Sequence, residues 1–430
     1  MLLALYPGVI STIFHILAII ISVVAFITIQ RREINSTINN RFVNEKKFLF
    51  MLVFVSIVCR VAFINSPKRS TDVADDIRVS NLILKDGVMQ FLANYSTIYH
   101  LGSQHPPLYP LFLAAIFPFG VTLSYVKLLM VILSALVIIP TYFIGKELYD
   151  KRKAVLSALL MFALPCPFLM SLHAVNDVLI MLFSALFMYF FILYTKHGKK
   201  IDGLLAVIIM GIGLLFKYTI AIFYLSTLVF AILYKSKKEE NKVLSKTLLV
   251  IFGSLLFIVP WIIYMYYTGL FGLQIAKLLA LGQPGRKLGQ DSGYELFDWF
   301  LFLSTSVLFL SPTNTVLLLP FMFHLVYRRK SDWKTGLLTS WVFVPFIFYG
   351  LLQPLVRYWI ISFPALTLII ANSIEDLNRE PYREKIFLTT FVCSLILCFL
   401  ISYVNLIYVT PYPVSHSLRD LWISYGRFFG

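Results

Sequence analysis

Residues 101–120, LGSQHPPLYPLFLAAIFPFG, decide how the chain is threaded. The stretch begins like a membrane helix, yet Pro106 and Pro107 stand at its head and Pro118 at its foot. Its apolar part, Leu108 to Phe117, falls well short of the ~20 residues needed to cross a bilayer. Asp72, Asp75 and Asp76 lie just upstream. An acidic cluster, a His-Pro-Pro and a half-length apolar segment together fit the surface of a membrane protein better than its interior.

The chain around this stretch is 59% hydrophobic and only 13% charged over 430 residues. Apolar runs of about membrane-spanning length recur throughout, which excludes a soluble globular protein. These runs lack alternating polarity, which argues against a β-barrel. The sequence therefore predicts an all-α, polytopic protein, with 1–430 forming one integral membrane domain. About twelve spans are expected, near 8–29, 48–64, 124–145, 154–172, 178–195, 203–217, 219–234, 247–268, 313–327, 336–352, 358–372 and 386–408. The run at 8–29 has no small-residue cleavage site after it and reads as an anchoring span. Cys59, Cys166, Cys393 and Cys398 all sit in apolar runs without metal-site spacing, as packing thiols do.

The net charge of +16 would suggest nucleic acid in a soluble chain. Here the bases sit in short loops at 30–47, 145–153, 196–200, 235–246 and 328–334. The positive-inside rule places all five loops in the cytoplasm. Span 48–64 then leads outward and span 124–145 leads back. One further crossing at 105–120 would put the basic loop 145–153 on the wrong side. The His-Pro-Pro segment is therefore an interfacial or re-entrant helix within an outer loop, 65–123. A second outer loop, 269–311, is expected to end in another interfacial helix at 299–311. Its Gly- and Pro-containing part, 269–298, suits a mobile cover over an acceptor.

This threading gathers Asp72, Asp75, Asp76, His105, Asn176, Asp177, Lys217, Arg357 and Tyr358 on the outer face. Each has an ordinary structural explanation alone. Asp72 and Asp177 suit helix N-termini, a proline suits a helix start, and Lys217 or Arg357 can snorkel to headgroups. Ionisable groups at a membrane boundary are costly, however, and scattered structural polars have no reason to favour one side. Residues 70–87 also read as an amphipathic helix lying on the membrane, with Val73, Ile77, Leu84 and Val88 along one stripe. A surface carboxylate can take a proton from a hydroxyl, and nearby cations can neutralise a phosphate leaving group. Grooves between spans can hold a lipid tail. That chemistry suits a sugar joined through phosphate to a polyprenyl lipid.

The motifs resemble the GT-C integral membrane glycosyltransferases that use lipid-phosphate sugars, such as the protein O-mannosyltransferases and the aminoarabinose transferases. TDVADDIRVSNLILKDG (71–87) resembles their early acidic loop, and HPPLYPLFLAAIFPFG (105–120) their PPLY helix. LHAVNDVLIMLFSALFMYF (172–190) resembles their second acidic motif, GLLFKYT (213–219) their outer turn, and RYWIISFPALTLIIA (357–371) their late Arg-Tyr segment. The likeness covers roughly 48–375. The span at 8–29 departs from the family pattern, as do three aspartates in place of an Asp-Glu pair. No Trp-Trp-Asp motif is present, which argues against an oligosaccharyltransferase.

The resemblance implies an inverting hexosyl or mannosyl transfer from a dolichyl or other polyprenyl phosphate. The acceptor would be a protein, lipid or glycan at the outer or luminal face of a cell membrane or endoplasmic reticulum. Asp72 is the first candidate for the general base, followed by Asp76 and Asp75. Arg357, Lys217, His105 and Tyr358 would meet the donor phosphate or lipid, while Asp177 and Asn176 would orient the acceptor. No cofactor is required; a divalent metal, if used, would draw on Asp72, Asp76 and His105. The competing reading is a secondary transporter or flippase, for which charges near the midplane and inverted repeats would be expected.

Overall fold

The computed structural model describes residues 45–65, 71–95, 105–234, 241–272, 310–318, 333–352, 356–375 and 380–407, with single positions at 303, 306 and 307. The expected span at 8–29, the chain ends, and most of 269–311 and 313–327 lie outside the described residues.

All regular structure among the described residues is helical. The first described helix is α1 (Glu45–Val61), followed by α2 (Thr71–Asp86), α3 (Val88–Ala93) and α4 (Leu108–Ile116). The bundle continues through α5 (Leu123–Leu136), α6 (Ile138–Leu148), α7 (Lys151–Ala163), α8 (Pro165–Leu172), α9 (Asp177–His197) and α10 (Lys200–Phe216). After a 3-10 turn at Tyr218–Ala221 come α11 (Ile222–Tyr234), α12 (Asn241–Tyr267), α13 (Trp333–Leu352), the one-turn α14 (Val356–Trp359), α15 (Phe363–Glu375) and α16 (Glu380–Ile407).

Five described segments are long and apolar enough to cross a bilayer: Leu123–Leu148, Asp177–His197, Lys242–Tyr267, Trp333–Leu351 and Arg357–Glu375. The expected span 154–172 is instead two helices, α7 and α8, bent by 44°. Pro165 opens α8, and the residue before it, Leu164, is pushed into extended geometry (φ −71°, ψ 129°), which breaks the helix there. Burial ranks the spans: Arg357–Glu375 is 78% buried and lies inside the bundle, whereas Lys242–Tyr267 is 28% buried and lies at its edge. The open face of α12 carries Leu248, Leu249, Phe252, Leu256, Val259 and Ile263. So large an apolar surface would be an aggregation hazard in water and is natural against lipid.

The basic stretches converge on one end. Lys146 pairs with Glu45 at 2.8 Å, and Lys196 pairs with Glu147 at 2.7 Å. Lys246 donates to the carbonyls of Tyr194 and Thr195 at 3.0 and 3.1 Å, and Lys334 lies 5.4 Å above the ring of Tyr149. Arg152 closes the same end onto Glu375 at 2.9 Å. Described parts of all five basic stretches thus share one end, as the charge pattern predicts. With 21 residues, α9 rises about 30 Å from this end, so Asp177 stands at the other.

Helices α2, α3 and α4 form a cap at that opposite end. At nine residues, α4 is about 14 Å long and does not cross. Gly87 turns α2 into α3 with φ at 84°, which glycine adopts without strain. The Asn81 side chain donates to the carbonyl of Val121 and accepts from its N–H, both at 2.9 Å, fixing the return from α4 to α2. Tyr264 of α12 donates to the Leu92 carbonyl, and Tyr95 packs edge-on against Trp261 at 5.1 Å.

Candidate active site

The site grows from the first turn of α2. Asp72 stands there, and its Oδ2 accepts from Nη1 of Arg357 at 2.8 Å. Arg357 comes from α14, at the head of the most buried span, 285 residues further along the chain. The pair is only partly covered, with side-chain exposures of 16% for Arg357 and 25% for Asp72. Nη2 of Arg357 donates to the hydroxyl of Tyr358 at 3.1 Å, while Nε is buried with no hydrogen-bond partner among the described residues.

A second pair lies deeper. Lys217 falls where α10 stops, in extended backbone (φ −162°, ψ 129°), before the chain resumes as a 3-10 turn. Its ammonium donates to Asn176 Oδ1 and Asp177 Oδ1, each at 2.8 Å, and the ion pair is sealed, with exposures of 2% and 1%. Asn176 and Asp177 follow a turn in which Ala174 adopts a left-handed conformation (φ 56°). That conformation is uncommon for a residue with a Cβ and is held by its surroundings. Tyr358 links the two pairs: its ring centre lies 4.9 Å from the Arg357 guanidinium carbon and 5.4 Å from the Lys217 ammonium. Tyr349 supports this ring at 5.3 Å and donates its hydroxyl to the Thr219 carbonyl at 2.6 Å.

The three aspartates of α2 have three different environments. Asp72 faces Arg357. Asp75 faces outward, 3.5 Å from the exposed Arg78. Asp76 is buried, and its Oδ2 lacks a hydrogen-bond partner among the described residues. Burial raises the Asp76 carboxyl well above the ordinary carboxylate range; Asp72 raises it further, and Lys217 only partly opposes this. The buried stripe of α2 is therefore Val73, Asp76, Val79, Ser80 and Ile83, whereas Leu84 and Val88 are exposed. Of the expected apolar stripe, Val73 is buried, Ile77 packs partly buried against the core, and Leu84 and Val88 face outward, while Asp76 turns into the protein.

The sequence did not single out Tyr109, although it belongs to the PPLY motif. Burial raises the pKa of its hydroxyl, and the carboxyl groups of Asp76 and Asp177 add to this. Its oxygen has no hydrogen-bond partner among the described residues. His105 lies at the head of α4, and its backbone carbonyl accepts from Tyr95 at 2.5 Å. Among the described residues, no group of three or more His, Cys, Asp and Glu side chains is placed to hold a metal, so Asp72, Asp76 and His105 do not assemble one.

The geometry combines a half-open carboxylate–guanidinium pair, a sealed lysine behind it and an aromatic ring between them, at the mouth of a lipid-exposed bundle. Residues 104–264 match the family model described as dolichyl-phosphate-mannose-protein mannosyltransferase. The crystal structure of ArnT from Cupriavidus metallidurans bound to undecaprenyl phosphate superposes with a TM-score of 0.65 at 15% identity, over 89% of this chain and 69% of that one. The oligosaccharyltransferase of Archaeoglobus fulgidus, solved with zinc and sulfate, gives 0.55 at 16% identity, over 82% of this chain and 53% of that one. This chain thus spans about two thirds of the first structure's length and about half of the second's. No curated protein matches the sequence. The structural likeness establishes the fold: the chain is an all-helical membrane protein with the GT-C architecture.

Proposed function

We propose that this chain is a glycosyltransferase that moves a hexose from a polyprenyl-phosphate sugar to an acceptor hydroxyl at the outer face of the membrane. The observation that carries this reading is the Asp72–Arg357 pair at 2.8 Å, partly open at the non-basic end of a GT-C bundle. A carboxylate able to accept a proton and a guanidinium able to hold a phosphate are the two groups such a transfer needs.

The acceptor hydroxyl gives its proton to the Asp72 carboxylate, and its oxygen bonds to the anomeric carbon. The bond from that carbon to the phosphate oxygen breaks on the opposite face, inverting the configuration. The lipid phosphate departs with its charge held by Arg357. Asp75 is turned away beside Arg78, and burial disfavours the charged form of Asp76, so Asp72 is best suited to act as base. ArnT of C. metallidurans binds undecaprenyl phosphate, which supports a polyprenyl phosphate leaving group here. The description of the matching family favours mannose as the hexose and dolichyl phosphate as the carrier.

The test is consumption of polyprenyl-phosphate-linked mannose or glucose by the purified protein, wild type beside Asp72→Asn. Sugar release by the wild type that disappears in the variant supports both reaction and base. Folded wild-type protein that consumes neither donor would refute the transferase reading.

A further inference from the structure

We infer that the Asp72–Arg357 ion pair is a latch: the donor's phosphate must take Arg357 from Asp72 before Asp72 can act, so the donor binds ahead of acceptor activation. The inference rests on the transferase reading above and adds an order of events to it.

The reason is distance. In an inverting transfer the base, acceptor oxygen, anomeric carbon and leaving oxygen follow one another across the sugar. The base sits about 2.6–3.2 Å from the acceptor oxygen, and that oxygen approaches the anomeric carbon at about 3–3.5 Å. The groups flanking an inverting centre stand roughly 6.5–9.5 Å apart. Asp72 and Arg357 touch at 2.8 Å, leaving no room for a sugar between base and phosphate clamp. They can serve the two ends of one reaction only after separating.

The surroundings suit such an exchange. Only Nη1 of Arg357 is given to Asp72; Nη2 is tied to the Tyr358 hydroxyl at 3.1 Å, and the guanidinium lies against the Tyr358 ring at 4.9 Å. The guanidinium can therefore stay in place while Nη1 changes partner. Its Nε is buried without a hydrogen-bond partner among the described residues, a donor that the carboxylate does not use. A phosphate can take the Nη1 N–H in a charge-assisted hydrogen bond, and Nε–H remains as a further donor on the other edge of the guanidinium. Once released, the Asp72 Oδ2 no longer accepts from Arg357 and is open to the acceptor hydroxyl. The proton of the acceptor hydroxyl then passes to Asp72 as the new carbon–oxygen bond forms and the lipid phosphate leaves on Arg357.

The latch makes an unusual prediction: removing the proposed catalytic carboxylate should improve binding of the leaving group. Undecaprenyl phosphate is titrated against the full-length protein in nanodiscs, as wild type and Asp72→Asn. The variant should bind about tenfold tighter, equivalent to ~1.4 kcal/mol of competition removed. Equal or weaker binding by the folded variant overturns the latch, and leaves the transferase reading intact if the wild type consumes donor. Wild-type protein that neither binds undecaprenyl phosphate nor consumes donor overturns both. Should Asp72→Asn not fold, the wild type decides the matter: a structure with undecaprenyl phosphate bound should show Asp72 and Arg357 apart and phosphate on the guanidinium. Persistence of the direct contact overturns the proposal.

Discussion

The ring of Tyr358 lies 5.4 Å from the ammonium of Lys217, the residue that ends α10. Because Arg357 lies against the same ring at 4.9 Å, one aromatic joins two ion pairs drawn from four separate parts of the chain. The cations are not equivalent. Lys217 is sealed by Asn176 and Asp177, whereas Arg357 shares a partly open boundary with Asp72. An arriving anion can meet Arg357 directly. Lys217 instead fixes the position and field of Tyr358 from behind, as a cation held against an aromatic face in a desolvated setting does.

Asp72→Asn keeps the size of the side chain and removes its ability to take a proton. Steady-state sugar transfer should fall by about 100- to 10,000-fold, the range typical for losing a positioned general base. Expression and thermal stability should change little, because the amide oxygen still accepts from Arg357. Near-normal turnover would make Asp72 a helix-terminal residue and nothing more.

Arg357 separates charge from shape. Lysine at this position keeps the charge but loses the fork that serves Asp72, Tyr358 and a phosphate together. Arg357→Lys should therefore lose kcat more than it loses donor affinity. Arg357→Ala should lose both, with about 2.7–4 kcal/mol of transition-state stabilisation gone, the loss typical of removing an anion-stabilising donor. Kinetics against donor concentration read the split directly, and an unchanged donor KM in Arg357→Ala would remove the residue from the phosphate site.

The sealed pair should behave as a structural unit. Lys217→Met leaves Asp177 as a buried carboxylate without its cation, at a cost of about 3–5 kcal/mol. Adding Asp177→Asn removes the stranded charge and should restore much of that loss. A double-mutant cycle on thermal unfolding in detergent measures the coupling. Additive effects of the two substitutions would mean that the 2.8 Å contact carries no net interaction.

The gathering of the basic stretches at one end was legible in the sequence because it depends on where lysine and arginine occur, and 145–153 and 196–200 do meet there through Glu147 and Lys196. The half-length of 108–117 was legible too, because helix length follows from residue count. Side-chain partners were harder to read. The pairing of Asp72 with Arg357 spans 285 positions and depends on how α2 rolls against α4. The α2 apolar pattern did not reveal the burial of Ser80 and Asp76, because a hydrophobic stripe says nothing of polar side chains turned into the protein. The break within 154–172 was visible only as Pro165 and Pro167 in an apolar run, a pattern that tolerated spans also show.

Asp76 should make the protein less stable as pH rises. Its carboxyl is raised in the folded state by burial first and by Asp72 second, from an ordinary value of 3.8. The folded protein therefore holds this proton where the unfolded chain has released it. By linkage, folding stability falls with increasing pH from the unfolded pKa up to the raised one, with a slope of at most about 1.4 kcal/mol per pH unit from this group. The contribution is fully favourable only at acid pH and is lost through the window above it. Asp76→Asn cannot ionise and has nearly the same shape, so it should raise Tm relative to wild type near pH 8. The difference should shrink as pH falls and vanish only below about pH 3, where Asp76 is protonated in both states. Thermal unfolding of the two proteins across that range tests the sign. A Tm gap that stays constant with pH would show that Asp76 does not titrate differently on folding.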